Sequence, residues 1–260
     1  MEPTCALLKS KGYRNVFLVP LGILGVFPLH AAWTQEASMP TGRLYALDLI
    51  NISYIPSAMA MIETRDGSNM PLDSILVIED PTSTLQYAPI ESTSVLGFFS
   101  NKDLLGGEAA TRQEVLSRLP GNNVLHFSCH GFFNPEDPMQ SGLMMANDET
   151  IAVFDIQQIQ LDVTRLVVLS ACETGLIGRR IIDEAIGFPC AWLGLGVPGI
   201  ISSLWSVDDE STSILMKKFY EYLMIDKLGP GEALRQAQIS VRDTLYSQPY
   251  FWAAFFFTGQ

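Results

Sequence analysis

Apolar runs that end abruptly in polar residues constrain the fold of this chain more than any other feature. Four of them contain few polar residues and no clean alternation: "SILVIEDP" (74–81), "NVLHFSC" (123–129), "RLVVLSAC" (165–172) and "GIISSLWSV" (199–207). Such runs are typical of strands buried on both faces of a parallel sheet. Three further strands are predicted, at "NVFLVP" (15–20), in "LDLINISYIP" up to Pro56 and at "FWAAFFFTG" (251–259). A short helix capped by Ser57 is expected after the second of them.

Segments with helical spacing lie between these runs. "TRQEVLSRL" carries Thr111 and Glu114 at the spacing of a capping box. Residues 208–227 form an amphipathic pattern with acidic residues at its start, and residues 230–246 begin with a proline. Strands that alternate with helices predict an α/β domain with a mostly parallel sheet.

The composition indicates which class of protein this is, and the net charge indicates which partners it can bind. The 260 residues are 48% hydrophobic and 17% charged, which is typical of a folded globular protein with a sizeable core. The formal net charge is −12, and nucleic acid is therefore not expected as a partner, because phosphate binding needs a basic surface. An acidic protein remains suited to a cationic peptide.

The four cysteines indicate compartment as well as chemistry. Cys5, Cys129, Cys172 and Cys190 show neither a C-x-x-C pair nor metal-finger spacing, so we expect reduced thiols in the cytoplasm, no metal and no cofactor. The N-terminus does not resemble a signal peptide. No apolar stretch approaches the ~18 residues that a membrane span needs, so a soluble protein without membrane contact is predicted.

His130 and Cys172 come directly after two of the predicted central strands. Carboxyl ends of parallel strands collect at one edge of a sheet, so the two side chains meet there if the strands are neighbours. A thiol nucleophile needs a nearby histidine, and its oxyanion needs backbone N–H donors, for which Gly131 and Cys172 are candidates.

A structural role for these residues is the alternative. A lone cysteine is more often buried core than nucleophile, and only the joint placement of His130 and Cys172 favours catalysis. Cys129 faces the opposite side of its strand from His130 and is predicted to be core. His126 and His30 are also predicted to be structural.

Several motifs in order then resemble one family. "HFSCHG", "LVVLSACETG", "DEAIGFPCAWLGLGVPGIISSLWSVDDESTSILMKKFY", "ALRQAQ" and "PYFWAAFFFTG" are similar to the CHAT domain, a branch of the caspase-like clan CD cysteine peptidases related to separase. The resemblance implies a caspase-hemoglobinase-like three-layer α/β/α sandwich over residues 1–260. It also implies a catalytic dyad of His130 and Cys172, with the backbone of Gly131 and Cys172 as the oxyanion hole. CHAT domains commonly follow tetratricopeptide repeats, so such a region, or a sensor, is an expected regulatory partner.

The segment "SLWSVDDES" resembles a separase "LW-x-V-x-D" stretch whose acidic side chain is implicated in holding a basic substrate residue. Asp209 is the first candidate for that contact and Asp208 the alternate. Glu173, next to the cysteine, completes the substrate-binding candidates. Acidic residues at the start of a helix are also ordinary capping partners, and that interpretation stays open.

The expected function is therefore a cysteine endopeptidase that cleaves a protein substrate after a basic residue, in signalling, defence or programmed cell death. Two alternatives remain. One is a catalytically idle caspase-like scaffold or assembly module. The other is a different thiol acyl-transfer enzyme, such as an amidase or a transpeptidase.

Overall fold

The computed structural model describes residues 2–63, 66–67, 69–132, 134, 136–170 and 187–259. The strands within these ranges are β1 (Asn15–Leu18), β2 (Trp33–Gln35), β3 (Arg43–Tyr45), β4 (Asn51–Tyr54), β5 (Ser74–Glu79), β6 (Asn101–Gly106), β7 (Val124–Ser128), β8 (Gly131–Phe132), β9 (Gly142–Met144), β10 (Thr150–Ala152), β11 (Leu166–Leu169), β12 (Gly199–Ser203) and β13 (Phe255–Gly259).

The helices in the same ranges are α1 (Glu2–Ser10), α2 (Ala46–Leu49), α3 (Ala58–Glu63), α4 (Ala88–Leu96), α5 (Arg112–Arg118), α6 (Val153–Ile156), α7 (Gly187–Gly194), α8 (Asp209–Met224), α9 (Pro230–Thr244) and α10 (Pro249–Trp252). Short 3₁₀ turns lie between some of these elements. In the part of the chain that the structure describes, no helix is long and apolar enough to cross a membrane.

A single eight-stranded sheet dominates the fold, in the order β1-β4-β13-β12-β11-β7-β5-β6. Every neighbouring pair is parallel except β12 and β13, which run antiparallel. The predicted mostly parallel sheet is confirmed. A separate three-stranded sheet, β10-β9-β8, follows β7 and carries the segment after His130.

Helices cover both faces of the large sheet, because successive strand residues point to opposite sides. On β11, Val168 belongs to a core formed with α4, α8 and α9, whereas Leu169 belongs to a second core formed with α5, α6 and α7. Two buried apolar layers on one sheet make a three-layer α/β/α sandwich, as predicted.

Local signals placed several elements correctly. Thr111 caps α5 by accepting the N–H of Glu114 at 3.3 Å. Ser57 accepts the N–H of Ala60 at 3.1 Å at the start of α3. Side chains that accept these N–H groups satisfy donors that the first helical turn leaves unpaired, so each cap sets where its helix begins.

Three segments differ from the sequence prediction. The last strand begins at Phe255, because Pro249 starts the short helix α10 instead. The strand predicted at 199–207 ends at Ser203. Residues 82–110, whose polar and glycine-containing sequence predicts no element, contain α4 and β6, and the exposed Asn101 and Lys102 of that edge strand hide its strand pattern.

Candidate active site at the carboxyl edge of the sheet

β7 and β11 are parallel neighbours, as the sequence argument required. Val168 pairs with His126 and Leu169 with Phe127, so each residue of β11 lies opposite the residue 42 positions before it in β7. Both strands therefore end at the same edge of the sheet. Ser170, the last described residue before Cys172, is buried at this edge.

His130 lies just past the end of β7 and is half-buried. Its backbone carbonyl accepts the N–H of Met144 at 2.8 Å, which fixes the residue to the small sheet. The imidazole Nε2 atom lies 2.7 Å from the Oγ1 atom of Thr84. Both backbone and ring are thus held in place by neighbouring elements.

Gly131 begins β8 and presents its backbone N–H away from β9. Gly131 lies opposite Leu143 in an antiparallel pair, and the flanking hydrogen bond joins Met144 to His130. A residue in such a non-hydrogen-bonded pair directs its own N–H away from the partner strand. The Gly131 N–H is therefore not consumed by the ladder with β9, a requirement for an oxyanion donor.

The loop after β5 wraps around the carboxylate of Asp80. This side chain accepts the N–H of Thr84 at 3.0 Å and of Leu85 at 2.9 Å, and the hydroxyl of Thr82 at 3.2 Å. Asp80 and Ser83 have φ values of 37° and 57°, in the left-handed region. Three hydrogen bonds to one carboxylate hold this uncommon backbone, and with it Thr84, against His130.

Asp208 and Asp209 lie at the start of α8, and both have structural roles. Asp208 is the N-cap and accepts the N–H of Ser211 at 2.9 Å. The Oδ2 atom of Asp209 accepts the N–H of Tyr87 at 2.7 Å. The capping interpretation is confirmed for Asp208, while the bond of Asp209 joins α8 to the loop that begins at Asp80.

Asp209 lies among other acidic side chains. Burial raises the pKa of its carboxyl, and the negative charges of Glu91, Asp80 and Asp208 raise that pKa further. A carboxylate in such surroundings is stabilised by a cation, because a positive charge offsets both the burial and the repulsion. Asp209 and the acidic residues around it lie beside the loop whose Thr84 contacts His130.

The other predicted structural residues are buried, as expected. His126 lies between the Oε1 atom of Glu91 at 2.8 Å and the hydroxyl of Tyr220 at 3.1 Å, with no exposed surface. His30 is buried beside Tyr54. Cys129 is fully buried in the core on the α5, α6 and α7 side of the sheet.

Cys172 and Glu173 lie outside the described residues, so the dyad and the third substrate-binding candidate are not placed by the structure. Thr84 and Asp80 were not predicted as site residues. Asp80 carried a usable signal, since it also follows an apolar strand at the same edge. Nothing local marked Thr84, which is 46 residues from His130 in the chain.

Comparison with known proteins identifies the family. The model of the CHAT domain matches residues 1–260. No curated protein sequence matches the chain significantly. Solved structures with a similar fold include separase in the separase–securin complex of Saccharomyces cerevisiae, with a TM-score of 0.61 and 16% identity. That match covers 91% of this chain and 15% of the separase chain, so the chain spans only a small part of that relative.

Two structures of gingipain also share the fold. The Arg-specific cysteine proteinase gingipain R matches with a TM-score of 0.65 and 11% identity, over 100% of this chain and 67% of its own. The complex of Porphyromonas gingivalis RgpB pro- and mature domains matches with a TM-score of 0.63 and 12% identity, over 100% and 68%. These identities are low, and the likeness is one of fold. With the family model matched from end to end and this shared architecture, the chain belongs to the CHAT domain family and has a caspase-like fold.

Proposed function

We propose that this chain is a cysteine endopeptidase in which Cys172 is the nucleophile and His130 transfers protons. The parallel register of β7 and β11 carries the proposal, because its offset of 42 residues equals the separation of His130 and Cys172. A strand continued in that register sets the two residues side by side. Two residues of chain from Ser170 span at most about 7 Å, which keeps a thiol at position 172 within reach of this edge.

The reaction then follows from the chemistry of these groups. The Cys172 thiolate attacks the carbonyl carbon of the peptide bond, and the N–H groups of Gly131 and Cys172 stabilise the oxyanion. His130 donates a proton to the amine as the C–N bond breaks, leaving a thioester. Water deprotonated by His130 hydrolyses the thioester, which releases the acid and returns the thiol.

The proposed substrate is a protein or peptide with Arg or Lys before the cleaved bond. Asp209 is the favoured contact, with Asp208 and Glu173 as further candidates. The raised pKa of Asp209 supports this, because a cation relieves the crowding of carboxylates around it. The net charge of −12 also favours cationic partners. The Arg specificity named for gingipain belongs to a protein of similar fold and is consistent with the same preference.

The proposed setting is the cytoplasm, in signalling, defence or programmed cell death, under control of a tetratricopeptide-repeat region or a sensor. The free thiols of Cys5 and Cys190 suit a reducing compartment.

The test compares wild type with Cys172→Ala and His130→Ala on a peptide library, with Cys190→Ala as the control that removes a different thiol. Cys172→Ala should lower cleavage by about 10⁴-fold or more. His130→Ala should lose amide cleavage yet keep part of its reactivity toward iodoacetamide, since the thiol remains. Cys190→Ala should cleave normally.

Other outcomes identify the alternatives. Cleavage that survives in Cys172→Ala rejects the proposed nucleophile. A folded wild type that cleaves nothing, with or without a candidate repeat-region partner, indicates a scaffold. Transfer of the acyl group to an added amine in preference to water indicates an amidase or transpeptidase type of enzyme.

A further inference from the structure

We infer that Asp80 acts through Thr82 and Thr84 to keep the proton of His130 on Nε2, which makes Nδ1 the nitrogen that exchanges protons with the substrate. The role of Nδ1 rests on the proposed peptidase function, whereas the position of the proton does not. Asp80 and Thr82 touch neither substrate nor thiol in this scheme, and they are positioning residues.

A continuous line of hydrogen bonds joins the carboxylate to the imidazole. The Oγ1 atom of Thr82 lies 3.2 Å from Asp80 Oδ1, the two threonine Oγ1 atoms are 2.8 Å apart, and Thr84 Oγ1 lies 2.7 Å from His130 Nε2. The hydroxyls of Thr82 and Thr84 form this connection, and each carries a single proton.

The carboxylate sets the direction of donation along this line. A carboxylate only accepts, so the proton of Thr82 points to Asp80. Thr82 must then accept from Thr84, and Thr84, its own proton used, must accept from His130. Every contact is satisfied only when Nε2 carries a proton. The reverse direction leaves Thr82 Oγ1 facing the carboxylate without a proton between them.

The carboxylate itself is well anchored. Its two oxygens also accept the backbone N–H groups of Thr84 and Leu85. The N–H of Asp80 donates to the carbonyl of Ser128 at 2.8 Å, which continues the pairing of β5 with β7 up to the residue two before His130. Asp80 and His130 are thus held on adjacent strand ends, and the line between them does not depend on a freely moving side chain.

This arrangement suits both halves of the proposed reaction. The imidazolium keeps its Nε2 proton, which it donates in a hydrogen bond to Thr84, and it gives its Nδ1 proton to the leaving amine. The neutral ring that results has its lone pair on Nδ1, ready to accept a proton from the attacking water. The opposite tautomer has no lone pair on Nδ1 and could not perform the second step. Among the described residues, none forms a hydrogen bond with Nδ1 of His130.

The direct test is a long-range ¹H–¹⁵N spectrum of the imidazole rings in the full chain, at a pH where His130 is neutral. Wild type and Thr84→Ser should show the Nε2–H tautomer, because both keep the hydroxyl. Thr84→Val removes the hydroxyl with little change of shape, and Thr82→Val keeps the contact with His130 but cuts the link to Asp80. Both valine variants should show a mixture of tautomers. The inference is wrong if the wild-type His130 ring is protonated on Nδ1, or if Thr84→Val and Thr82→Val both show the same tautomer of His130 as wild type.

Kinetics on a fluorogenic peptide with Arg before the cleaved bond add a second measurement. Thr84→Val and Thr82→Val should lower kcat by about 10- to 100-fold with little change in KM, and Thr84→Ser should restore most of it. Thermal unfolding of each variant checks that the fold is intact, and Thr84→Ser and Thr82→Val carry the test if Thr84→Val does not fold. If wild-type His130 is protonated on Nε2 but Cys172→Ala still cleaves, the proposed function is wrong and the tautomer assignment stands. If wild type is active but carries the neutral-ring proton on Nδ1, the tautomer assignment is wrong and the proposed function stands.

Discussion

Asp209 Oδ2 accepts the backbone N–H of Tyr87 at 2.7 Å, and this bond joins the start of α8 to the loop whose Thr84 contacts His130. Asp209, the candidate for substrate recognition, and His130, the candidate for proton transfer, therefore both form hydrogen bonds with the same loop. The bond occupies one oxygen of Asp209, and the second oxygen can still accept from a substrate cation.

Asp209→Asn should weaken the preference for Arg before the cleaved bond. Loss of a charge-assisted contact of about 1.5–3 kcal/mol lowers kcat/KM for Arg peptides by roughly 10- to 150-fold. Asn keeps an oxygen that can accept the Tyr87 N–H, so the loop should hold. A positional peptide scan on wild type, Asp209→Asn and the matched Asp208→Asn measures the effect. An acidic or apolar preference in wild type, or a basic preference unchanged in both variants, contradicts the assignment.

Mild alkylation should modify Cys172 before the described cysteines. Burial raises the pKa of the Cys190 thiol to about 12 and also raises the pKa of Cys5, so neither forms much thiolate at neutral pH. Cys129 has no exposed surface. Since the thiolate is the reactive form, iodoacetamide at pH 7.5 should label position 172 first. Peptide mass spectrometry over time gives the order, and labelling of Cys190 as fast as Cys172 would refute the prediction.

His30 should make the fold less stable in mild acid. Burial lowers the pKa of His30 from 6.5 to about 4, so the unfolded chain binds a proton in a range where the folded chain does not. The contribution of His30 to the free energy of unfolding is therefore complete above pH 6.5 and falls as the pH decreases toward 4. Between pH 7 and pH 4.5 this group should cost about 2 to 3 kcal/mol.

Urea unfolding of wild type and His30→Asn at several pH values separates this contribution from that of the carboxylates. Asn retains polar atoms for Tyr54 but does not titrate, so the variant should lose less free energy of unfolding on acidification than wild type. Equal losses in the two proteins would assign the pH dependence elsewhere.

Gly142→Ala should disturb the small sheet that holds His130 and Gly131. An added Cβ would lie 2.4 Å from the carbonyl oxygen of Ile151, closer than any tolerated contact, so β9 and β10 must separate. We expect a loss of about 1–3 kcal/mol in the free energy of unfolding, together with lower cleavage. Gly194→Ala is the control, because its Cβ meets nothing within 4 Å. Thermal and urea unfolding measure both, and equal stability of the two variants would contradict the argument.

The sequence by itself determined much of the local structure and the edge at which the candidate site lies. Apolar runs identified β5, β7, β11 and β12, because a strand buried on both faces must be apolar throughout. Alternation along β7 separated Cys129, now in the core, from His130 at the strand end. Thr111 fixed the start of α5 through a contact only three residues away.

Only the tertiary structure decided which distant segments meet. β13 lies between β12 and β4, antiparallel to the first and parallel to the second, although its own sequence is equally suited to other positions in the sheet. Glu91 and Tyr220 surround His126, and Thr84 reaches His130 from a loop 46 residues earlier. Hydrophobic periodicity reports how deeply each residue is buried, whereas the partner across a buried contact is set by the packing of whole elements. The hydrogen-bond line from Asp80 to His130 exists because β5 and β7 are neighbours, and no pattern within either strand encodes that neighbourhood.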